Sequence, residues 1–394
     1  MTGDILTLNC GSSSVKFAVF DAAHPKAAAR ITGKIAGIGR APVFTARDTE
    51  GPLETPGPLN ELTTAHTHED LIARLLDWLA QHHGDQPLLM VGHRVVHGGK
   101  SYTAPTRITQ TVLSDLDALS PLAPLHQPHN LAAIRAVAAW QPNLPQAACF
   151  DTAFHRTQDR TETLFALPRD LSDEGIIRYG FHGLSYAYIA SVLPDHLGTS
   201  ANGRVIVAHL GNGASMCAMR QRKSVATSMG FTALDGLVMG RRCGTLDPGV
   251  ILYLMQSKGM TAAQVETLLY RKSGLLGVSG ISNSMQDLEA SNAPQAREAI
   301  DLFVARAART LAGMIPAISG LDAVVFTAGI GENSAPVRAA ICAQLDWLGL
   351  QLDPKANARG DVKISAQTSA VDVLVLPTNE EAVIASACRT LLAT

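Results

Sequence analysis

Hydrophobic and polar positions follow two repeating patterns along this chain, one typical of strands and one typical of helices. An apolar run at 5–8 leads through the small-residue loop 11–14 into a second run at 15–20, which predicts a strand, a tight turn and a strand. The same order recurs at 205–219, around a second glycine-containing loop at 211–214. Two such hairpins indicate a duplicated fold with one copy in each half; the alternative is a chance recurrence of a common pattern.

Helical spacing is clearest from Leu71 to Leu79, where Thr67 and Asp70 supply a typical helix start. Similar spacing predicts helices at about 131–138 and 381–392. Strands and helices alternate through most of the chain, which favours an α/β architecture with partly parallel sheets. Three further apolar strands end near 151, 327 and 377, and ligands bind at strand ends in open α/β sheets.

Composition excludes several classes of protein. The chain has 394 residues, with 32 Lys and Arg against 34 Asp and Glu, and it has no basic run for nucleic-acid binding. No apolar run approaches the ~18 residues of a membrane span, and the N-terminus has no basic signal-peptide region. Six cysteines without a CxxC pair fit a reducing compartment. We therefore expect a cytoplasmic enzyme with neither a nucleic-acid nor a membrane partner.

Phosphate-binding loops are the chemistry that the sequence supports best. The chain has no G-x-G-x-x-G, G-x-S-x-G or H-E-x-x-H motif, and Arg94 stands where a Walker A motif ending at Ser101 would need glycine. Three small-residue loops follow apolar strands at 11–14, 211–214 and 329–333, where backbone N–H groups can approach a phosphate. With Lys16 close to the first loop, they favour nucleotide binding over three ordinary turns.

Several cations have neighbours typical of ligand contacts. Arg94 follows an apolar run, and Arg241 and Arg242 stand between glycines, which favours carboxylate or phosphate binding over a surface role. His182 and His209 are candidate donors to phosphate oxygens.

Carboxylates near strand ends are candidate ligands of Mg²⁺. Asp151 ends one strand, and Glu380 and Glu381 open the last helix. A buried aspartate and carboxylates that stabilise a helix start are the alternatives. His93 and His97 lie in a strand-like segment, so their spacing does not predict a zinc site.

Motifs from one end of the chain to the other resemble those of the acetate kinases, short-chain acyl kinases of the actin/Hsp70/sugar-kinase superfamily. They are Asn9-Cys10-Gly11-Ser12-Ser13-Ser14-Val15-Lys16, His93-Arg94-Val95-Val96-His97-Gly98-Gly99, Ala123-Pro124-Leu125-His126, Phe150-Asp151-Thr152-Ala153-Phe154-His155, Tyr179-Gly180-Phe181-His182-Gly183, His209-Leu210-Gly211-Asn212-Gly213, Met229-Gly230-Phe231-Thr232, Thr327-Ala328-Gly329-Ile330-Gly331-Glu332-Asn333 and Thr378-Asn379-Glu380-Glu381.

The resemblance implies an α/β, two-domain actin-like ATPase fold, built from a duplicated ribonuclease-H-like unit with a cleft between the domains. Residues 1–150 with 381–394 would form the first domain, and 151–380 the second. The implied reaction is reversible, Mg²⁺-dependent, direct in-line transfer of a phosphoryl group from ATP to acetate, giving acetyl phosphate and ADP. Mn²⁺ is the expected substitute for Mg²⁺, and a homodimer is expected.

The resemblance also implies roles for individual residues. Arg94 would bind the substrate carboxylate, and the methyl pocket would consist of Val96, Leu125 and Phe181. The catalytic residues would be Asp151, His182 and Arg242, and the ligands of Mg²⁺ would be Asn9 and Glu380. The nucleotide would be bound by Ser12, Ser14, Lys16, His209, Leu210, Gly211, Asn212, Gly213, Ser284, Met285, Gln286, Gly329, Ile330, Gly331, Glu332 and Asn333. Acetate is ionised at neutral pH and needs no general base, so Asp151 is expected to orient a Mg²⁺-bound water or Arg242.

Several positions depart from the usual pattern of this family. Leu184 and Tyr186 replace a Thr and a His after Phe181-His182-Gly183. Ala233 replaces a proline near the acyl pocket, so a propionate or butyrate kinase is one alternative. Ser284 and Gln286 replace Asp and Arg near the nucleoside, and Arg241 replaces Thr. A second alternative is an ATPase of the superfamily that acts as a conformational switch, which would have no use for a carboxylate-binding arginine. A third is a His/Asp metallohydrolase.

Overall fold

The computed structural model describes residues 2–11, 14–25, 27–54, 59, 62–84, 86–124 and 126–394. Its contacts divide the chain into two compact units. The first runs to Ala153 and includes Asn379–Thr394, and the second is Phe154–Thr378. Asp151 and Glu380 therefore both belong to the first unit.

The first unit is built on a seven-stranded sheet in the order β4-β3-β2-β1-β5-β7-β6. Neighbours from β4 to β1 are antiparallel, whereas β1, β5 and β7 are parallel. The strands are β1 (Asp4–Cys10), β2 (Ser14–Asp21), β3 (Ile31–Ala36), β4 (Val43–Asp48), β5 (Leu88–Val95), β6 (Thr106–Arg107) and β7 (Gln146–Phe150). The helices of this unit are α1 (His68–His82), α2 (Gln110–Ala118), α3 (Gln127–Trp140) and α15 (Glu380–Ala393).

The second unit is built on a five-stranded sheet in the order β10-β9-β8-β11-β12. Its strands are β8 (Arg204–Leu210), β9 (Ala214–Arg220), β10 (Lys223–Thr227), β11 (Ala323–Thr327) and β12 (Asp372–Val375). Its helices are α4 (Arg160–Thr163), α5 (Arg169–Glu174), α6 (Gly183–Leu197), α7 (Pro248–Gln256), α8 (Ala262–Arg271), α9 (Gly274–Ser279), α10 (Met285–Glu289), α11 (Pro294–Ile318), α12 (Ala328–Asn333), α13 (Ala335–Ala343) and α14 (Pro354–Arg359).

The two sheets share one topology. In each, a three-stranded antiparallel ribbon (β3-β2-β1 or β10-β9-β8) continues into two parallel strands (β5-β7 or β11-β12). The hairpins β1–β2 and β8–β9 occupy corresponding positions in the two sheets. The duplication predicted from the repeated glycine-containing hairpin is therefore confirmed.

The helices predicted from apolar spacing are also confirmed. Thr67 caps α1 in a capping box with Asp70, because each side chain accepts a hydrogen bond from the other residue's backbone N–H. Helix α15 packs directly on β5, where a Cβ at Gly92 would lie 2.3 Å from Ile384 and 2.6 Å from Cys388. This close approach fixes the start of α15, and with it Glu380, relative to the sheet. No helix in the described part of the chain has the length and apolar character needed to cross a bilayer.

Candidate active site

Four charged or polar side chains of the first unit meet where its parallel strands end. Strand register explains three of them: Leu8 pairs with His93, so Asn9 lies beside Arg94, and Asp151 follows directly after the Val95–Phe150 pair. The fourth is Glu380, the first residue of α15. Parallel strands bring their carboxyl ends to one edge of the sheet, which is why residues so distant in sequence converge.

Arg94 and Asp151 form a bidentate ion pair. Nε of Arg94 lies 3.0 and 3.1 Å from the two carboxylate oxygens, and Nη2 lies 2.6 Å from Oδ2. Asp151 is fully buried, and the side chain of Arg94 is 17% exposed. Arg94 is thus a partner of Asp151, and the expected relation of Asp151 to Mg²⁺-bound water or Arg242 stays a prediction.

The charges around Arg94 keep its guanidinium protonated. Burial alone would lower the pKa of Arg94, but the negative charges of Asp151 and Glu380 outweigh it and raise that pKa above its usual value. Nη1 also donates to Oδ1 of Asn9 at 3.1 Å. A guanidinium has five N–H groups. The described contacts use one on each nitrogen, so Nη1 and Nη2 each keep one N–H that can bind a carboxylate.

Oxygen ligands cluster around Asn9. Its Nδ2 donates to Oε2 of Glu380 at 2.8 Å and to Oε1 of Glu381 at 3.4 Å. Lys16 lies directly opposite Asn9 in the β1–β2 pair and is exposed, so both side chains project from the same face of the sheet. One amide and two carboxylates suit Mg²⁺, which takes one or two protein carboxylates and completes its shell with water and phosphate oxygens.

The segment after β5 is held by α3. The backbone N–H of Val96 donates to Oδ1 of Asn130 at 3.0 Å, and Nδ2 of Asn130 donates to the carbonyl of Cys10 at 2.6 Å. Both side chains are buried. Of the other predicted residues in this unit, Ser12 and Leu125 lie outside the described residues. Ser14 begins β2, and its carbonyl accepts a hydrogen bond from Gly11.

In the second unit, His182 is held by a chain of hydroxyl groups. It precedes α6 in the left-handed conformation, with φ 58° and ψ 24°. Its Nδ1 lies 2.8 Å from Oγ of Ser215, which also bonds to the hydroxyl of Tyr186. The ring stacks on that of His209 with centroids 4.2 Å apart, and Nδ1 of His209 lies 2.8 Å from Oγ of Ser185. With Nδ1 engaged in this way, Nε2 of His182 is the nitrogen that faces Gly213.

Gly213 marks the point where His182 and Arg242 come together. A Cβ at Gly213 would lie 2.8 Å from Nη2 of Arg242 and 3.2 Å from Nε2 of His182. Nη1 of Arg242 donates to the carbonyl of Ala233 at 2.6 Å, which directs the guanidinium. Two cationic or hydrogen-bond-donating groups thus share one small space over a glycine turn. Phe181, which precedes His182, is buried.

A cavity of about 670 Å³ lies beside this turn, within the second unit. Its size falls in the range of small-molecule and cofactor sites, ~300–1,000 Å³. Eight of the residues predicted to bind nucleotide line it together: Gly211, Asn212, Ser284, Met285, Gln286, Gly329, Ile330 and Asn333. Three segments far apart in sequence therefore form one wall.

Three further residues predicted to bind nucleotide have structural contacts, and their predicted role is not tested by them. Leu210 is fully buried, and Gly331 packs against Phe326. Oε1 of Glu332 accepts the backbone N–H of Ala328 at 2.7 Å, so this carboxylate supports the loop from inside.

Three residues that line the cavity were not predicted from the sequence, namely Asn283, Glu289 and Ser334. A helix-start signal was available for Ser334, whose hydroxyl accepts the N–H of Val337 and donates to Glu289. Nothing in the sequence pattern singles out Glu289, because its neighbour Ser334 is remote along the chain.

Comparison with known proteins places this geometry in a family. The family model described as "Acetokinase family" matches residues 4–386. An acetate kinase of Rhodopseudomonas palustris is 52% identical over 98% of this chain and 97% of its own length. The crystal structure of a propionate kinase from Francisella tularensis has a TM-score of 0.89 and 36% identity, covering 98% of each chain. That of Porphyromonas gingivalis acetate kinase has a TM-score of 0.85 and 33% identity, covering 99% of this chain and all of that one.

The predicted fold class and enzyme class are thereby confirmed, since the match extends over nearly the whole chain. The chain therefore belongs to the acetokinase family.

Proposed function

We propose that this chain transfers the γ-phosphoryl group of ATP to acetate, reversibly and directly, to give acetyl phosphate and ADP. Arg94 supports this function most directly. It is mostly buried, and its contacts with Asp151 and Asn9 leave one N–H on each terminal nitrogen without a partner among the described residues. That is the geometry of a receptor for a small carboxylate, which an ATPase acting only as a switch does not need.

The acceptor is assigned to the first unit. Acetate is already an anion at neutral pH, so no group has to remove a proton from it. Asp151 serves instead to orient the Arg94 guanidinium through its two carboxylate oxygens. Val96 lies close in sequence to Arg94, is buried, and is the apolar neighbour proposed to contact the methyl group.

The nucleotide is assigned to the cavity of the second unit. Backbone N–H groups of the glycine turns can bind phosphate oxygens there. In-line phosphoryl transfer spreads negative charge over the equatorial oxygens, and donors positioned for that charge lower the barrier. Arg242 and His182, which converge over Gly213, are proposed for this role.

Mg²⁺ is the proposed metal, with Mn²⁺ as its substitute. Asn9 and Glu380 would hold it, because Nδ2 of Asn9 donates to Oε2 of Glu380 and so keeps an amide oxygen and a carboxylate close together. When bound, the ion neutralises charge on the phosphate oxygens.

Substitution of Glu380 tests this assignment. Glu380→Gln is expected to raise the Mg²⁺ concentration that gives half-maximal activity about tenfold. The neighbouring Glu381→Gln, whose contact with Asn9 is longer, is the matched control. Equal effects of both substitutions would contradict the assignment of Glu380.

A panel of short acids tests the proposed reaction. Acyl phosphate is trapped as hydroxamate, with ATP and with acetate, propionate or butyrate, and kcat/KM is compared. We expect acetate to give the highest value. ATP hydrolysis that does not depend on any acid would contradict the proposal and favour a superfamily ATPase.

Propionate is the second candidate acceptor, for one local reason. Ala233 stands where the family usually has a proline near the acyl pocket, and its methyl side chain is smaller than a proline ring. One methylene changes selectivity by only about 1–3 kcal/mol. Measurable propionate activity is therefore expected beside acetate activity, and a higher kcat/KM for propionate would make it the preferred acceptor.

We also infer a homodimer. Helix α7 buries none of its residues, although Val250, Leu252, Tyr253 and Met255 are large and apolar. Contiguous exposed apolar surface of this kind typically marks a protein–protein interface. Leu252→Asp is expected to yield monomers in sedimentation velocity. Leu167→Asp, at a similarly exposed leucine outside α7, is the matched control and should leave the dimer intact. Dimers in both variants would rule out α7 as the interface.

A cytoplasmic location is the remaining inference. All six cysteines carry free thiols, and five of them are buried. Reduced thiols are usual in a reducing compartment. Fractionation of cells that produce the protein, followed by immunodetection, would test the location.

A further inference from the structure

Arg241 precedes Arg242 directly, yet the two guanidinium groups contact different parts of the second unit. Nη2 and Nε of Arg241 lie 3.3 and 3.4 Å from Oδ1 of Asn283. No carboxylate forms an ion pair with Arg241 among the residues that the structure describes. Both contacts are longer than the ~2.7–2.9 Å that is usual when a guanidinium meets an anion. Arg241 is therefore a cation with a neutral and weakly held partner.

The partner of Arg241 belongs to the wall of the 670 Å³ cavity. Nδ2 of Asn283 donates to Oδ1 of Asn212 at 3.1 Å, and both asparagines line the cavity. The loop that carries Arg241 is fixed against the same wall, because the N–H of Gly240 donates to the carbonyl of Asn212. A Cβ at Gly240 would lie 2.0 Å from Oδ1 of Asn212, so any other residue there would displace the Asn212 amide.

The segments around the cavity differ in charge. Asn212 contacts Asn283, the partner of Arg241, and precedes Gly213, where Arg242 and His182 meet. Glu289, on α10, is the acidic residue among those that line the cavity, and it accepts a hydrogen bond from Ser334. A ligand that is anionic at one end and rich in hydroxyl or amino donors at the other fits this polarity.

We propose that Arg241 is a further nucleotide-binding residue, which engages the phosphate chain of ATP or ADP beside Asn212. The inference rests on the proposed function, because that function supplies the nucleotide. A phosphate oxygen offers the guanidinium a charge-assisted bond in place of its long contact with the Asn283 amide. The carboxylate of Glu289, elsewhere in the cavity lining, can accept hydrogen bonds from donors of the nucleoside.

Binding of ADP compared with adenosine tests this assignment without turnover. Calorimetry is carried out on the whole chain in its wild-type form and as Arg241→Gln, Arg241→Lys and Arg271→Gln. The last is a matched control at an exposed arginine of the same unit. Loss of one charge-assisted contact should weaken ADP binding about tenfold in Arg241→Gln, which corresponds to 1.4 kcal/mol. Adenosine binding should change less than twofold, and Arg241→Lys should recover most of the ADP affinity.

Three results would overturn the proposal. If Arg241→Gln weakened adenosine binding as much as ADP binding, Arg241 would only support the cavity wall through Asn283. Unchanged ADP affinity in Arg241→Gln would mean that it has no role, and a similar loss in Arg271→Gln would mean that the effect is non-specific charge. Failure of the wild type to form acyl phosphate would instead contradict the proposed function, and the ADP and adenosine comparison would still report on Arg241.

Discussion

Replacing Arg94 by lysine separates the shape of the guanidinium from its charge. Lysine keeps one positive charge, but its ammonium is a compact point charge with three donors. It cannot bind both oxygens of Asp151, reach Oδ1 of Asn9 and still present two donors to a substrate carboxylate, as the five N–H groups of arginine can. The substitution should therefore impair binding of the acid specifically.

The size of the effect follows from the two N–H groups left for the substrate. A hydrogen bond to a charged group contributes about 1.5–3 kcal/mol. Losing two at the lower value costs about 3 kcal/mol, which is roughly a 150-fold fall in kcat/KM for acetate. Most of this fall should appear as a higher KM, because the carboxylate is bound before and during transfer.

Initial rates in the hydroxamate assay measure this effect, with acetate varied at saturating ATP and then ATP varied at saturating acetate. The matched control is Arg135→Lys, which alters an exposed ion pair with Asp117 in the same unit and should change neither constant. An acetate KM within threefold of the wild type in Arg94→Lys would refute the assignment. So would an equal rise in the KM for ATP.

Two further predictions concern the Gly213 turn and two buried histidines. Gly213→Ala should lower kcat about 100-fold with little change in the KM for acetate, because the added Cβ would displace Arg242. The control is Gly313→Ala, which should keep wild-type rates because no atom lies within 4 Å of the added Cβ. Equal losses of kcat in both variants would count against the role of the Gly213 turn. Burial lowers the pKa of His93 and of His155 to about 4, so each stays neutral in the folded chain while the unfolded chain takes up protons below about pH 6.5. The free energy of unfolding should fall as pH drops from about 6.5 to 4, by about 1.4 kcal/mol per pH unit for each histidine. Urea titrations at several pH values measure this dependence, and His93→Gln should make the free energy of unfolding depend less steeply on pH. An unchanged dependence on pH in His93→Gln would contradict this prediction.

The sequence predicted the elements that positional periodicity controls. Alternating apolar residues and the glycine turns predicted both hairpins, and apolar spacing with Thr67 and Asp70 predicted α1. These patterns depend on local geometry, in which side chains repeat every two or about 3.6 residues, so they can be read without knowledge of the fold. The residue types at strand ends likewise indicated phosphate and carboxylate chemistry.

Partners across the fold could not be predicted in the same way. Asp151 pairs with Arg94, and Asn283 links Arg241 to Asn212. Arg242 approaches Gly213 so closely that a Cβ there would lie 2.8 Å from its Nη2. Each contact joins residues that are tens of positions apart, and the tertiary fold, not sequence spacing, decides which of them meet. The sequence by itself determined which kinds of element and chemistry this protein has. Only the tertiary structure decided which charges neutralise each other and which keep donors for a ligand, because electrostatic and hydrogen-bond energies depend on distances of a few ångströms.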